Sequence, residues 1–367
     1  MKFVLSLGLL ICCISAGFAQ SRYTVSGYVR EAGSRELLIG VTVYLPGAAT
    51  GTTTNTYGFY SLTLPAADSV QVVFSFVGYG PQTRTVPLRK NVELNVELAA
   101  GQLLGEVVVE GSREKVSQTP QMSTLEVPIK QIKIIPALLG EKDVLKVLQL
   151  MPGVQKGSEG SSGLYVRGGG PDQNLIILDD AVVYNAYHLF GFFSLFNGDA
   201  LKSVELTKGG FPARYGGRLS SVLEMNMKEG SKEKLHGEGG IGLISSRLTL
   251  EGPLQKGKSS FILSGRRTYI DALVRPFIPD GDGGYYFYDL TAKVNYDFGR
   301  KDKLYLSGYF GQDRFFVREK YDGNRSKLGF NWGNATGTLR WNHLFNQKLF
   351  TNTSLVFSNY RFQIYQD

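Results

Sequence analysis

Apolar and polar residues alternate with a period of two over most of this chain, and the character of the alternating runs changes twice. Up to Leu98 the runs are short. Tyr23, Val25, Gly27 and Val29 alternate with Thr24, Ser26, Tyr28 and Arg30, and residues 41–45, 70–77 and 91–98 repeat the signal between turns. Short strands at this spacing predict a small β-sandwich of roughly 75 residues. From residue 116 to 229 two periods mix. Val144, Val147, Leu148 and Met151 fall at helical spacing within residues 141–151, and Pro152-Gly153 stops the run. Residues 174–178, 203–208 and the stretch carrying Leu223, Met225 and Met227 read as strands, so an α+β domain is the economical solution. Beyond Leu235 the runs lengthen. Leu290, Ala292, Val294, Tyr296 and Phe298 alternate with Thr291, Lys293, Asn295 and Asp297, and residues 304–310, 335–341 and 349–357 follow suit. Runs of about ten residues with tyrosine-rich ends suit transmembrane barrel strands, although a soluble sandwich would alternate too. About six such strands fit before Asp367.

Composition changes little in that picture. There are 45 Gly among 367 residues and aromatics make up 12%, as many strands and turns require. The formal charge is +8, but the basic residues are scattered, which argues for polar strand faces and against nucleic acid. Lys2, an apolar core over residues 3–14 and Gly17-Phe18-Ala19 make residues 1–19 a secretory signal peptide. Cys12 and Cys13 raise a lipoprotein alternative, but the residues before them depart from its pattern. Cleavage after Ala19 removes both cysteines, leaving no disulfide and no cysteine nucleophile.

Catalytic chemistry finds no foothold. His188, His236 and His343 have no second ligand at helical spacing, so no metal site is expected. Asp179-Asp180 reads as neighbouring strand residues pointing to opposite faces. The Asp280–Gly284 segment lacks the length of a calcium loop. Gly168-Gly169-Gly170 is followed by Pro171 and Asp172 where a nucleotide-binding helix would begin. Neither catalytic residues nor a cofactor is expected.

The stretches YVRGGG, LILDD-like and GGFPARYGGRLSS between Leu164 and Met227 resemble the plug domain of TonB-dependent outer-membrane receptors. LIGVTVYLPGAATGTTTNTYGFYSLTLP followed by FSFVGY resembles the carboxypeptidase regulatory-like domain, with Gly58 in its tight turn. LGEVVV, from Leu104, Gly105, Glu106, Val107 and Val108 to Val109, is similar to the coupling box of these receptors; one further sandwich strand is the alternative. An extended segment of this kind can add to the sheet edge of a partner. The expected order is therefore a signal peptide (1–19), a β-sandwich (20–99), a linker with the coupling strand (100–115), an α+β plug (116–229) and the first strands of an antiparallel transmembrane barrel (230–367).

The resemblance carries further implications. The family closes a 22-stranded barrel, which at roughly 22 residues per strand and turn needs on the order of 480 residues. The chain is thus expected to be part of a longer product. Arg167, Arg214 and Arg218 would pair with barrel glutamates and lock plug to wall. Gly168, Gly169, Gly209, Gly210, Gly216 and Gly217 would supply the turns of a plug in a crowded lumen. Tyr184, Tyr187 and Phe192, in an aromatic stretch, either face a ligand or pack the plug. The implied partners are TonB with its inner-membrane energising complex, outer-membrane lipid and a surface lipoprotein. The implied task is uptake across the outer membrane of a scarce large solute, with siderophore, metal complex, cofactor or peptide ranked above glycan. The three-domain order resembles receptors of Bacteroidetes-type bacteria, and the competing reading is a secreted β-sandwich adhesion protein.

Overall fold

The computed structural model describes residues 21–48, 50–101, 124–127, 129, 132, 143–157, 163–188, 191–277, 282–321 and 324–366. The expected signal peptide (1–19) and the expected coupling strand (104–109) both lie outside the described residues. Two compact units divide the chain, the first holding the sandwich and the second the α+β domain with the long-stranded sheet.

The sandwich is built from β1 (Arg22–Glu31), β2 (Thr42–Tyr44), β3 (Gly51–Thr53), β4 (Phe59–Pro65), β5 (Ala67–Ser75), β6 (Gln82–Leu88), β7 (Val92–Glu93) and β8 (Val96–Leu98). One sheet runs β4-β1-β7 with β8 also on β1, and the other runs β3-β2-β5-β6. Alternate residues of both sheets meet in one core that includes Val25, Val29, Leu62, Val72 and Leu88. Within it the Tyr60 and Phe74 rings meet edge to face at 5.3 Å. The turn before β4 forms because the Asn55 side chain accepts the Tyr57 and Phe59 amides at 2.9 and 3.0 Å. Gly58 closes it at φ +67, where a Cβ would lie 2.9 Å from Leu37.

The α+β domain comprises β9 (Thr124–Val127), α1 (Val144–Leu148), β10 (Val154–Lys156), β11 (Leu164–Val166), β12 (Asn174–Leu178), β13 (Ala181–Val182), β14 (Tyr187–His188), β15 (Phe193–Ser194), β16 (Leu201–Lys208) and β17 (Ser221–Met227). Its sheet has the order β13-β12-β17-β16-β9, with only β12 and β17 parallel. The helix is shorter than residues 141–151 because Asp143 caps it, accepting the Leu145 and Lys146 amides. Val144, Val147 and Leu148 enter the core with Leu206, Leu223 and Met225.

Asp179 and Asp180 correct the sequence reading. They are not strand residues but the two centres of the hairpin turn joining β12 to β13, at φ 47 and 71. Both φ values are positive, as a right-twisting two-residue hairpin requires.

The third part is a meander of β18 (His236–Ile241), β19 (Ser245–Gln255), β20 (Ser259–Thr268), β21 (Asp282–Asp297), β22 (Asp302–Tyr321), β23 (Asn324–Asn346) and β24 (Leu349–Gln366), with α2 (Ile270–Val274) between β20 and β21. Seven strands form where about six were expected. The sequence HGEGGI of β18 offers too few apolar positions to alternate, and the strand exists through pairing with β19.

Burial in this sheet is inverted. On β21 to β23 the outward row includes Leu290, Val294, Leu306, Phe310, Leu339 and Trp341, all exposed. The row facing the α+β domain includes Asp289, Lys293, Asn295, Asp313, Asn334 and Arg340, all buried. Water would not select that arrangement, whereas a bilayer around the sheet and a filled lumen inside it would. From Tyr288 to Phe298 the outward row rises about 25 Å for a strand tilted by about 40–45°. Aromatic residues mark both ends of it, Tyr286 and Tyr288 at one and Tyr296 and Phe298 at the other. Among the described residues no helix is long and apolar enough to cross a membrane. The strands supply the spanning surface.

Candidate functional site

The chemistry of the molecule is concentrated where the α+β domain meets the inner face of the wall. β14 places His188, fully buried, between two wall carboxylates. Its Nδ1 lies 2.6 Å from Asp313 Oδ2 on β22 and its Nε2 2.7 Å from Asp289 Oδ1 on β21. The imidazole stacks on Phe287 with centroids 3.9 Å apart. Arg266 on β20 holds the other oxygen of Asp289 at 2.6 Å and donates to the Ser194 carbonyl at 2.8 Å. Tyr309 donates to Asp289 at 2.6 Å, and Tyr285 donates to Asp313. Burial alone would depress the His188 pKa, but the Asp289 and Asp313 carboxylates outweigh it and push the value up to about 9. The protonated imidazole donates through both nitrogens. Two cations then face two carboxylates, the balance that a buried charge cluster needs.

A second cluster lies at the β12–β13 turn. Asp179 Oδ1 accepts the Met227 amide at 2.9 Å, and Oδ2 is 2.9 Å from Lys293 Nζ on β21. Burial opposes its ionisation, but Lys293 and Arg340 prevail and hold its pKa below the usual carboxylate value. Asp180 pairs with Arg340 on β23 at 2.9 Å, and Thr338 donates to the Asp179 carbonyl at 2.7 Å. Two further links join the seam: Arg247 to Asp199 at 2.8 Å and Asn197 to Ser264 at 2.8 Å. Sequence reasoning had passed over all of these. Their signal was the charged residue in mid-strand on the polar side of an alternating run, which cannot stay buried without a partner.

The arginines singled out from the sequence stand elsewhere. Arg167 is exposed at φ 48, close to Lys208 and Gly209. Arg214 bonds the Tyr215 hydroxyl at 2.7 Å, and that hydroxyl donates to Glu224. Arg218 is partly buried at its backbone turn and donates to the Gly217 carbonyl at 2.7 Å. Gly168, Gly209, Gly210 and Gly217 have positive φ, and Gly216 faces open space. Gly169 is needed for close approach, since a Cβ there would lie 2.5 Å from Ser220.

Two adjoining clefts open beside these loops. One, of about 350 Å³, is lined by Asn185, Tyr187, Trp332, Tyr360 and Phe362 among others and, among the described residues, by no charged side chain. The other, of about 360 Å³, shares Pro171, Asn185, Tyr187 and Tyr360 and adds Tyr184, Asp172 and Arg218. Tyr184 and Tyr187 therefore come together, while Phe192 is exposed and lines neither.

Residues 25–109 match the family model of the CarboxypepD_reg-like domain, and residues 120–221 match that of the TonB-dependent Receptor Plug Domain. A TonB-dependent receptor of Formosa agariphila is 30% identical over 232 residues, 60% of this chain and 22% of that protein. The chain carries a CarboxypepD_reg-like domain and a TonB-dependent receptor plug domain. It spans about a fifth of the length of this curated relative. The solved siderophore receptor PirA from Acinetobacter baumannii is 17% identical, covers 68% of this chain and 46% of its own, and gives a TM-score of 0.39. The copper transporter OprC is 10% identical, covers 66% and 47%, and gives a TM-score of 0.44. The seam is thus where a receptor plug is pinned to its wall. TonB-dependent receptors are transporters, not enzymes.

Proposed function

We propose that this chain serves in active import across the outer membrane, energised by a periplasmic TonB partner. The observation that carries the reading is the inverted wall, apolar outside and charged inside, with a plug ion-paired to its inner face. The solute is a siderophore, metal complex, cofactor or peptide; the aromatic cleft favours one that presents a flat ring. A surface lipoprotein would deliver it. Arg167, Arg214 and Arg218 would lock to carboxylates of further wall strands.

The intact gene product is expected in the outer-membrane fraction, with faster gel mobility unheated than boiled. A freely soluble product would sink the reading in favour of a secreted adhesion protein. The strand at residues 104–109 would couple the plug to TonB by main-chain addition. A peptide of residues 103–110 should then retain a TonB C-terminal domain on a column. The same peptide with Val107→Pro and Val109→Pro should lose it, because proline removes the donors that strand addition uses. Equal retention would remove the coupling role.

A further inference from the structure

One end of the wall carries a charge pattern that import does not require. Turn 256–258, between β19 and β20, holds Lys256 and Lys258; turn 298–301, between β21 and β22, holds Arg300 and Lys301. The two turns lie side by side, since the Asp297 amide donates to the Lys258 carbonyl at 3.0 Å. All four basic residues are exposed and none has an ion pair within 4 Å among the described residues, the Lys301 charge acting on Asp302 at longer range. The nearby acids are engaged. Asp297 pairs with Lys232 at 2.8 Å, and Asp302 accepts from Trp341 and His343 at 3.0 and 2.7 Å. Turn 242–244, at the opposite end of the strands, is Gly-Leu-Ile and carries no charge. Just inside the basic turns the outward face is Leu254, Tyr296, Phe298 and Trp341, the aromatic boundary of the apolar belt.

We propose that this rim is a binding site for anionic phospholipid headgroups. The belt sets the depth of the acyl chains, and aromatic residues sit at headgroup level. Four cations one turn beyond them meet lipid phosphates, with their stems lying along the apolar edge. A neutral headgroup would leave the cations unmatched, whereas an anionic lipid completes the balance.

The inference rests on the membrane reading, and one experiment separates the two. The intact receptor is reconstituted in vesicles of phosphatidylethanolamine and phosphatidylglycerol, with bromine on the chains of one or the other. Quenching of the fluorescence component that Trp341→Phe removes reports the lipid beside the rim. Brominated phosphatidylglycerol should quench several-fold more than brominated phosphatidylethanolamine at equal mole fraction. Lys256→Gln, Lys258→Gln, Arg300→Gln and Lys301→Gln together should bring the ratio to one, with heat-modifiable mobility unchanged. Equal quenching in the unaltered receptor, or a ratio that survives the four substitutions, overturns the lipid site alone. Absence of quenching by either lipid overturns the membrane reading with it.

Discussion

His188→Ala is expected to loosen the plug by about 3–5 kcal/mol, because it leaves two buried carboxylates facing each other without their shared cation. Asp289 keeps Arg266, and Asp313 keeps the Tyr285 hydroxyl, which carries no charge. In outer-membrane vesicles the altered plug should be cut by protease at a rate higher by two orders of magnitude or more. His188→Phe should behave alike, since it restores the stack on Phe287 but not the ion pairs. Unchanged protection in both would mean that the network does not hold the plug. The pH dependence follows from the sign of the shift. His188 is raised from 6.5 to about 9, so its contribution is complete below about pH 6.5 and is lost as the pH rises through about 9. Alkaline buffer should therefore reproduce the substitution, and His188→Ala should erase that alkaline transition.

Asp179→Ala should cost as much, by a different route. It strands Lys293, which is buried, and removes the acceptor of the Met227 amide. The ammonium would keep the Met227 carbonyl, 3.1 Å away, and the face of the Tyr305 ring, but would lose its nearest carboxylate. A loss of about 3–5 kcal/mol is expected, read as a lowered urea midpoint for plug release. Here the pH dependence lies on the acid side. The native pKa is depressed below 3.8, so the contribution is present above about pH 4 and fades as the pH falls through the depressed value. Asp179→Asn tests the charge alone; a midpoint unchanged from the unaltered protein would show that the amide bond, not the ion pair, secures the turn.

The large divisions of the fold were legible because burial on one or two faces imposes a period, and residues such as Val144, Leu290 and Val294 display it. What escaped was set by partners distant in sequence. His188 meets Asp289 and Asp313 across 101 and 125 residues, and no local pattern announces such a pairing. The Asp179-Asp180 turn was missed because two β-branched or apolar runs flank it and neither Gly nor Asn marks it. β18 was missed for the opposite reason, since its glycines mask a strand that only its neighbour defines. The coupling strand falls outside the described residues, so its reading still rests on sequence alone.

The order of strands in the plug sheet has a mechanical consequence. Among the described residues β9 is the first strand after residue 101, forms one edge of the sheet and is held by four residue pairs to β16. The Asp179-Asp180 turn lies at the other edge, beside β13. Under the coupling proposed above, a load from the N-terminal side would reach β9 before the Asp179-Asp180 turn, and a short edge ladder peels a bond at a time. β9 can therefore be stripped away while the ion pairs of Asp179, Asp180 and His188 stay closed. Under that coupling the plug would act like a drawer with a tear strip at its front and its bolts at the back: a weak pull would yield slack, and only a sustained one would reach the bolts.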